Sequence, residues 1–429
     1  MSTDGVVTIG LLGCGTVGSQ VVRMLSEHGD DWVARSGARL QLTGIAVRDA
    51  SAERAPWVPR ELLTEDAEAV IDHADIVVEL IGGIEPARSY MLRALHAGGT
   101  VVTGNKALVA AHGPELHDAV QAGNGNLYYE AAVAGAIPVV YGLRESLAGD
   151  KITSVAGIVN GTTNYILDEM TTKGLGFEEA LAAAQALGYA EADPTADVDG
   201  HDAAAKGAIL ASLAFHTRVG LDDVPTTGIR HITAADIAAA RADGNVLKLL
   251  AVAQRTADGV SVQVRPTLVP QAHPLAAVRG AFNAVVVEAE AAGRLMFYGQ
   301  GAGGAPTASA VLSDIVAAAG HVVRGSKAPR ESAYAALPLL DPEHVPARAQ
   351  VTVRLADEPG TLAAVAGIFG DQGVSIEAVR QPRVAGSPGA DVIITTHTTT
   401  EAALARTVAG LEAEPTVDRV VSVTAVEGY

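Results

Sequence analysis

Through the first third of the chain, strand-length apolar runs alternate with helix-length amphipathic stretches. Val6–Leu12 predicts a strand, 18–28 a helix, 40–47 a second strand and 67–71 a short helix. A strand at 76–81, a helix at 90–97, a strand at 101–103 and a further strand at 127–133 continue the series. Apolar strands separated by helices are the pattern of a parallel sheet covered on both faces. From about 137 to 304 the reading changes to α+β, with Ala-rich helices at 177–187, 202–215 and 234–241 and alternating strands at 260–264 and 284–289. A helix at 309–319 is expected to return to the first domain. Pro329, Pro338, Pro342 and Pro346 mark 326–348 as a linker. Beyond it, strand 350–355, helix 361–371, strands 374–380 and 391–397, helix 401–412 and strand 417–423 follow in βαββαβ, ferredoxin-like order. The expected organisation is an α/β first domain (1–136 plus about 305–325), an α+β second domain (137–304), the linker, and a C-terminal domain (349–429).

Composition narrows the class. A length of 429 residues suits about three domains. With 48% hydrophobic but only 4% aromatic residues, the core must be built from Ala, Val, Leu and Ile. No apolar run approaches the ~20 residues of a membrane span, and the opening stretch lacks the basic flank and cleavage site of a secretory signal. A single cysteine, Cys14, excludes an intramolecular disulfide and a cysteine-rich metal site. These absences fit a cytoplasmic protein. The formal charge of −19 disfavours nucleic acid and anionic membrane as partners. An anionic cofactor would therefore be held by helix N-termini and individual Lys or Arg side chains.

Gly13, Gly15 and Gly18 form GxGxxG directly after the first strand and at the opening of a helix. In that context the glycines permit a tight turn, close approach of a pyrophosphate and helix–strand packing, as in a Rossmann-type domain. Thr16 and Val17 complete the loop, whose free amides would face the phosphates. After the second strand come Arg48 and Asp49. An Arg here can accept the extra phosphate of NADP, whereas an acidic residue holds the ribose of NAD, so both cofactors stay open with Arg48 favouring NADP. Arg48 also reads as a solvated residue after a strand. Cys14 reads as a small buried filler in the loop.

The densest polar cluster runs from Glu191 to Lys206 and includes Asp193, Asp197, Asp199 and Asp202. Asp202 and Lys206 are four apart and share a helix face. A lysine beside carboxylates can be tuned as a proton donor or acceptor, although an acidic helix start with an ordinary ion pair has the same spacing. Lys106 follows a sheet strand, where ligands of such sheets bind, and a solvated loop lysine would look alike.

Taken together, the GxGxxG opening, Gly104-Asn-Lys106, Asn160-Gly-Thr-Thr-Asn164, the Glu191–Lys206 block and Gly299-Gln-Gly-Ala-Gly-Gly resemble homoserine dehydrogenase. The resemblance covers residues 6–325 in matching order. It implies reversible, NAD(P)-dependent reduction of L-aspartate 4-semialdehyde to L-homoserine, with Lys206 and Lys106 catalytic. It also implies that Glu191 and Asp202 bind substrate with Asp197 close by, and that Asn160, Gly161 and Thr162 lie near the nicotinamide and substrate. Gly301 and Lys106 would lie near the dinucleotide. In the family's monovalent-cation loop, Glu130, Val133, Gly135 and Ile137 would offer main-chain oxygens to sodium or potassium. Leu355-Ala-Asp-Glu-Pro-Gly-Thr-Leu362 with Val365, Phe369, Val374 and Ile376 resembles an ACT domain. That implies a homodimer or homotetramer and feedback inhibition by L-threonine, with Asp357, Gly360, Val374 and Ile376 as candidate effector residues. The competing reading is a non-catalytic amino-acid sensor that keeps a dinucleotide fold.

Overall fold

A computed structural model describes residues 5–356, 358–381 and 390–428. Asp357, one candidate effector residue, lies outside the described residues.

The chain opens with β1 (Val6–Leu12), α1 (Thr16–Glu27), α2 (Gly29–Ser36), β2 (Arg39–Ala46), β3 (Leu63–Thr64), α3 (Ala67–Asp72) and β4 (Ile76–Glu79). It continues through α4 (Ala87–His96), β5 (Thr100–Thr103), α5 (Lys106–Gly123) and β6 (Asn126–Tyr128). The six strands form a parallel sheet in the order β3-β2-β1-β4-β5-β6. The chain reverses direction beside β1, so a crevice opens at the carboxyl ends of β1 and β4. The strand expected at 127–133 stops at Tyr128 and gives way to a tight turn, Glu130–Ala132. The cause is polar: the Glu130 amide donates to Asp314, and its carboxylate accepts from the Val140 and Tyr141 amides.

α6 (Val139–Tyr141), a π turn at Gly142–Ser146 and β7 (Ile152–Ile158) start the second domain, followed by α7 (Gly161–Lys173), α8 (Phe177–Ala186), α9 (Thr195–Val198) and α10 (His201–Phe215). Then come α11 (Ala234–Ala242), β8 (Asn245–Arg255), β9 (Val260–Pro270), β10 (Phe282–Ala289), β11 (Gly293–Gln300) and α12 (Gly304–Arg324). Ala203, Ala204, Ala205, Ala208 and Ala211 make α10 narrow enough to be buried nearly all round. Contrary to the expectation that no apolar run approaches a membrane span, α12 is long and apolar enough to cross one by length and composition. Here Ala308, Val311, Leu312 and Ile315 bury one of its faces in the core shared with β1 and α1.

Residues 326–345 lie along the second domain, with Ala335 N–H donating to His216 O and Leu340 N–H to Val260 O. β12 (Pro346–Ala347), β13 (Ala349–Leu355), α13 (Thr361–Asp371), β14 (Ile376–Arg380), β15 (Ala390–Thr396), β16 (Thr399–Thr400), α14 (Glu401–Ala413) and β17 (Val417–Val426) complete the chain. β12 pairs only with β16. The other C-terminal strands pair antiparallel and join the second domain's sheet into one of nine strands, β11-β10-β7-β8-β9-β17-β13-β15-β14. The seam is short: β17 meets β9 at Ala425↔Thr267 and Val426↔Leu268.

Candidate active site

The N-terminal ends of three helices, α5, α7 and α10, converge where the first and second domains meet. Asn105 caps α5, its side chain accepting from Leu108 N–H, and so places Lys106 at the first helical position. Asn160 caps α7 through Thr163 N–H at 2.8 Å. The first turn of α10 supplies Asp202, and its second supplies Lys206.

Asp202 sits at the centre and is 7% exposed. Its Oδ2 accepts from Lys206 Nζ at 2.7 Å and from Asn160 Nδ2 at 2.8 Å, while Oδ1 is ion-paired with Lys106. Asn160 Nδ2 also donates to Asp197 Oδ1 at 2.7 Å. Burial works to raise the Asp202 pKa, but the two ammonium groups prevail and hold it well below the usual carboxylate range. Lys206 is buried, and its Nζ also donates to Val159 O at 2.7 Å. Desolvation is the main cause that pushes its pKa below the ordinary lysine value; Lys106 adds to the effect and Asp202 opposes it. An ammonium has three N–H donors; two of Lys206's are used, and the third has no partner among the described residues.

Lys106 stands at the mouth with its side chain 47% exposed. Desolvation works to lower its pKa, yet Asp202, then Asp197 and Glu191, carry it above the ordinary value. Asp197 goes the other way from most surface carboxylates: burial, aided by Asp202, raises it against the Asn160 hydrogen bond. Glu191 is exposed at the same mouth. Thr162 is buried and donates to Tyr189 O at 2.6 Å; Gly161 begins α7 beside it. Asp193 and Asp199 do not join the cluster. Asp193 accepts from Thr195 N–H within its own turn, and Asp199 pairs with Arg230.

At the crevice of the parallel sheet, Gly13 has φ +95°, and a Cβ there would lie 2.6 Å from Leu80 O. A Cβ on Gly18 would lie 2.3 Å from Gly13 O, so α1 packs on β1 only because Gly18 lacks one. Gly15 and Thr16 are exposed at the α1 N-terminus, with Val17 half-buried behind them. These free amides and this open approach fit a dinucleotide pyrophosphate. Cys14 is buried, and burial pushes its thiol up. Arg48 is exposed, with no ion pair among the described residues. Asp49 is engaged in its own turn, accepting from Ser51 N–H, Ser51 Oγ and Ala52 N–H. Gly301 lies against Asn283 and Gly135, next to the same crevice.

Glu130, Val133 and Ile137 are buried in a tight loop in which Gly135 has φ +57°. Burial pushes both Glu130 and its neighbour Asp314 up to about 7. Asp314 Oδ1 is buried without a hydrogen-bond partner. Among the described residues no cluster of His, Cys, Asp and Glu side chains could hold a metal. In the C-terminal domain Gly360 precedes α13 and is exposed, Val374 is core, and Ile376 opens β14.

The family model for homoserine dehydrogenase matches residues 138–316, that for its NAD-binding domain 13–130, and that for the ACT domain 349–415. A homoserine dehydrogenase of Corynebacterium glutamicum is 55% identical over 428 residues, covering 98% of this chain and 96% of its own. The chain belongs to the homoserine dehydrogenase family. A solved homoserine dehydrogenase from Thiobacillus denitrificans superposes with a TM-score of 0.91 at 38% identity, covering 98% of both chains. A hyperthermophilic archaeal homoserine dehydrogenase solved in complex with NADPH covers 76% of this chain and 100% of its own, with a TM-score of 0.63 at 25% identity. Homoserine dehydrogenases are NAD(P)-dependent oxidoreductases, and this chain carries both a dinucleotide-type crevice at Gly13–Gly18 and the buried Lys–Asp–Lys cluster.

Two groups beside this cluster have roles that the sequence does not specify. Asn160 bridges Asp197 and Asp202, although its spacing to them predicts nothing. Glu79, fully buried, accepts from Ile81 and Gly82 amides and from Thr103 Oγ1, and Thr103 in turn accepts from Asn105 N–H. That chain of bonds fixes the loop that presents Lys106. A buried acid at the end of an apolar strand was the available clue.

Proposed function

We propose that this homoserine dehydrogenase reduces L-aspartate 4-semialdehyde reversibly to L-homoserine, with Lys206 as the group that carries the proton and NADP as the preferred cofactor. The observation that carries this reading is the third, unpartnered N–H of the buried Lys206 ammonium. An aldehyde oxygen placed there meets a preorganised cation, and the charge that grows on it in the transition state is stabilised in a water-poor setting. The proton then passes from Nζ to that oxygen, which burial favours by lowering the lysine's affinity for it. Asp202 keeps Nζ aimed and Lys106 adds a second positive charge at the mouth. Glu191 and Asp197 suit the substrate's ammonium, and the free amides of Gly161 and Thr162 at the start of the thirteen-residue α7 suit its carboxylate. The nicotinamide, when bound, supplies or accepts the hydride.

The unpaired Arg48 supports NADP over NAD, since Asp49 is already committed to its own turn. Arg54 adds to this, because its guanidinium donates to Cys14 O and Asp49 O and joins Arg48 beside the glycine loop. The NADPH complex of the archaeal relative agrees. A sodium or potassium ion held by main-chain oxygens of Glu130, Val133, Gly135 and Ile137 would offset the two buried carboxylates, Glu130 and Asp314. We assign L-threonine as effector at Gly360, Val374 and Ile376. The ACT-domain match supports an amino-acid effector there, and the β17–β9 seam is a path from it to the catalytic domain. The exposed apolar side chains of Phe282, Met296 and Tyr298 on β10 and β11 support a homodimer or homotetramer. A cytoplasmic location suits a biosynthetic dehydrogenase.

The test is to mix purified protein with L-homoserine and NADP, then NAD, and follow reduced nicotinamide, with Lys206→Ala as control and L-threonine added. Homoserine-dependent reduction that disappears in the control and slows with threonine is expected. No reduction with either cofactor by folded protein would sink the dehydrogenase reading in favour of the amino-acid sensor.

A further inference from the structure

A cavity of about 200 Å³ lies between α5, the far half of α10 and the segment 329–334, away from the Lys–Asp–Lys cluster. Its floor is apolar, made by Val109, Ala110, Ile209 and Leu213. Its wall is polar. Arg144 is nearly buried there and donates from Nε to Glu145, with its other two nitrogens unpartnered among the described residues. Beside it stand the Tyr129 hydroxyl and His117, whose ring meets Tyr129 edge-on at 6.0 Å.

The roof is strapped at three points: Ala328 N–H to Asn126 Oδ1, Glu331 to Arg218, and Ala335 N–H to His216 O. Tyr334 also stacks on the His216 ring. The same segment leads on to the ACT domain.

α5 is not continuous above this cavity. His112 has φ −127°, outside helical values, and Pro114 follows inside the helix. Proline removes one hydrogen bond of the ladder and crowds the carbonyl four residues back. The piece that starts at Lys106 is thus set off from the rest of α5 by a kink at His112. Val109 and Ala110, which line the cavity, lie on that piece, about one turn (~5.4 Å) from Lys106. Ile209 and Leu213 lie on the helix that carries Asp202 and Lys206.

We infer that this cavity is a second small-molecule site, for a compact organic carboxylate with an apolar body, and that its occupancy sets how Lys106 meets Asp202. The guanidinium of Arg144 suits a carboxylate, and the floor suits a hydrocarbon ring or branched chain. Size supports the match. An apolar cavity of about 150 Å³ is known to admit benzene, so 200 Å³ holds such a ring with a carboxylate added. A body resting on Val109 and Ala110 would set the tilt of the piece before the His112 kink, and with it the Lys106 ammonium.

Benzoate is a suitable probe, followed by saturation-transfer NMR and calorimetry on the full-length protein, with benzamide and acetate as controls. These binding measurements need no turnover, so they stand or fall apart from the dehydrogenase reading. Saturable binding of one benzoate per chain is expected. Benzamide, acetate and the Arg144→Gln variant should each bind about tenfold more weakly, roughly 1.4 kcal/mol. Leu213→Phe, which fills the floor and leaves Arg144 in place, should abolish binding and keeps the test open if Arg144→Gln fails to fold. Saturating benzoate should change the kcat or KM for homoserine oxidation at least about twofold in the parent enzyme and not in Leu213→Phe. No saturable binding up to about 10 mM overturns the site, as does binding that survives both variants. Inhibition competitive with L-homoserine and unchanged in Leu213→Phe would place benzoate in the active site and also overturn it. Binding with no kinetic change overturns the link to Lys106.

Discussion

Lys106 and Lys206 reach the same carboxyl group from different helices, Lys106 at Asp202 Oδ1 and Lys206 at Asp202 Oδ2. One ammonium is at the mouth and the other is buried. A single carboxylate therefore holds together two like charges that would otherwise repel, and only the outer one can be solvated.

Removing either partner should have unequal consequences for folding. Lys206→Met leaves Asp202 with Lys106 and Asn160 and should cost about 1 kcal/mol or less. Asp202→Ala strands the buried Lys206 ammonium and should cost about 3–5 kcal/mol. Urea denaturation followed by circular dichroism separates them; equal losses would mean that Lys106 does not compensate. In activity Lys206→Met should lose about 10²–10⁴-fold in kcat.

The charge state of Lys206 sets a pH profile. Its folded pKa lies below the ordinary 10.5, so homoserine oxidation, which needs the neutral amine, should rise with pH and level off before that value. Aldehyde reduction should fall over the same interval. Lys106→Met removes a like charge and should move both limbs to higher pH. An unmoved profile, measured as kcat against pH, would remove Lys206 as the titrating group.

Asp202 acts in the acid range. A carboxylate whose folded pKa is depressed stabilises the fold fully above its unfolded value, near 3.8, and loses that contribution as pH falls through the folded value. Acid unfolding midpoints should therefore shift less steeply with pH in Asp202→Asn than in the parent protein.

Lys248 is fully buried, with Nζ donating to Asn164 Oδ1 at 2.9 Å and Val278 O at 2.7 Å. Burial pushes it down to about 8. Its folded pKa is below its unfolded one, so the folded state should gain stability as pH rises from about 8 toward 10.5, by up to about 3 kcal/mol. Lys248→Met should remove most of that rise, leaving the smaller part that the depressed Lys206 contributes. A parallel rise in the variant, by thermal unfolding across this range, would show that Lys248 is not its source.

Arg48 and Arg54 should behave differently on cofactor choice. Arg48→Ala should lower kcat/KM for NADP about tenfold or more and leave NAD nearly unchanged. Arg54→Ala also removes the donor to Cys14 O and should weaken both cofactors. Equal losses in Arg48→Ala would assign Arg48 to the loop rather than to a phosphate.

Much of this was legible in the residues. Local periodicity located β1, α1, β4, α10 and the whole βαββαβ order of the C-terminal domain, because apolar spacing is a local consequence of which face is buried. GxGxxG was readable because its function is backbone geometry, which glycine writes into the sequence. Apolar spacing does not predict α5 or α7; α5 is broken by His112 and Pro114, and α7 is buried on polar as well as apolar positions. Among Glu191, Asp193, Asp197, Asp199 and Asp202, spacing could not separate the site carboxylates from those that cap turns or pair with Arg230.

The sequence by itself determined the order of elements in the C-terminal domain, most of those in the first, the dinucleotide loop and the Asp202–Lys206 pair, all of which depend on residues close along the chain. Only the tertiary structure decided that Lys106, Asn160 and Asp202 meet. Their distances of 42 and more residues are closed by sheet pairing and by the burial of α10, not by any local preference. It also decided which lysine is fully buried: desolvation prevails at Lys206, whereas at Lys106 Asp202, Asp197 and Glu191 outweigh it, so two chemically identical side chains shift in opposite directions.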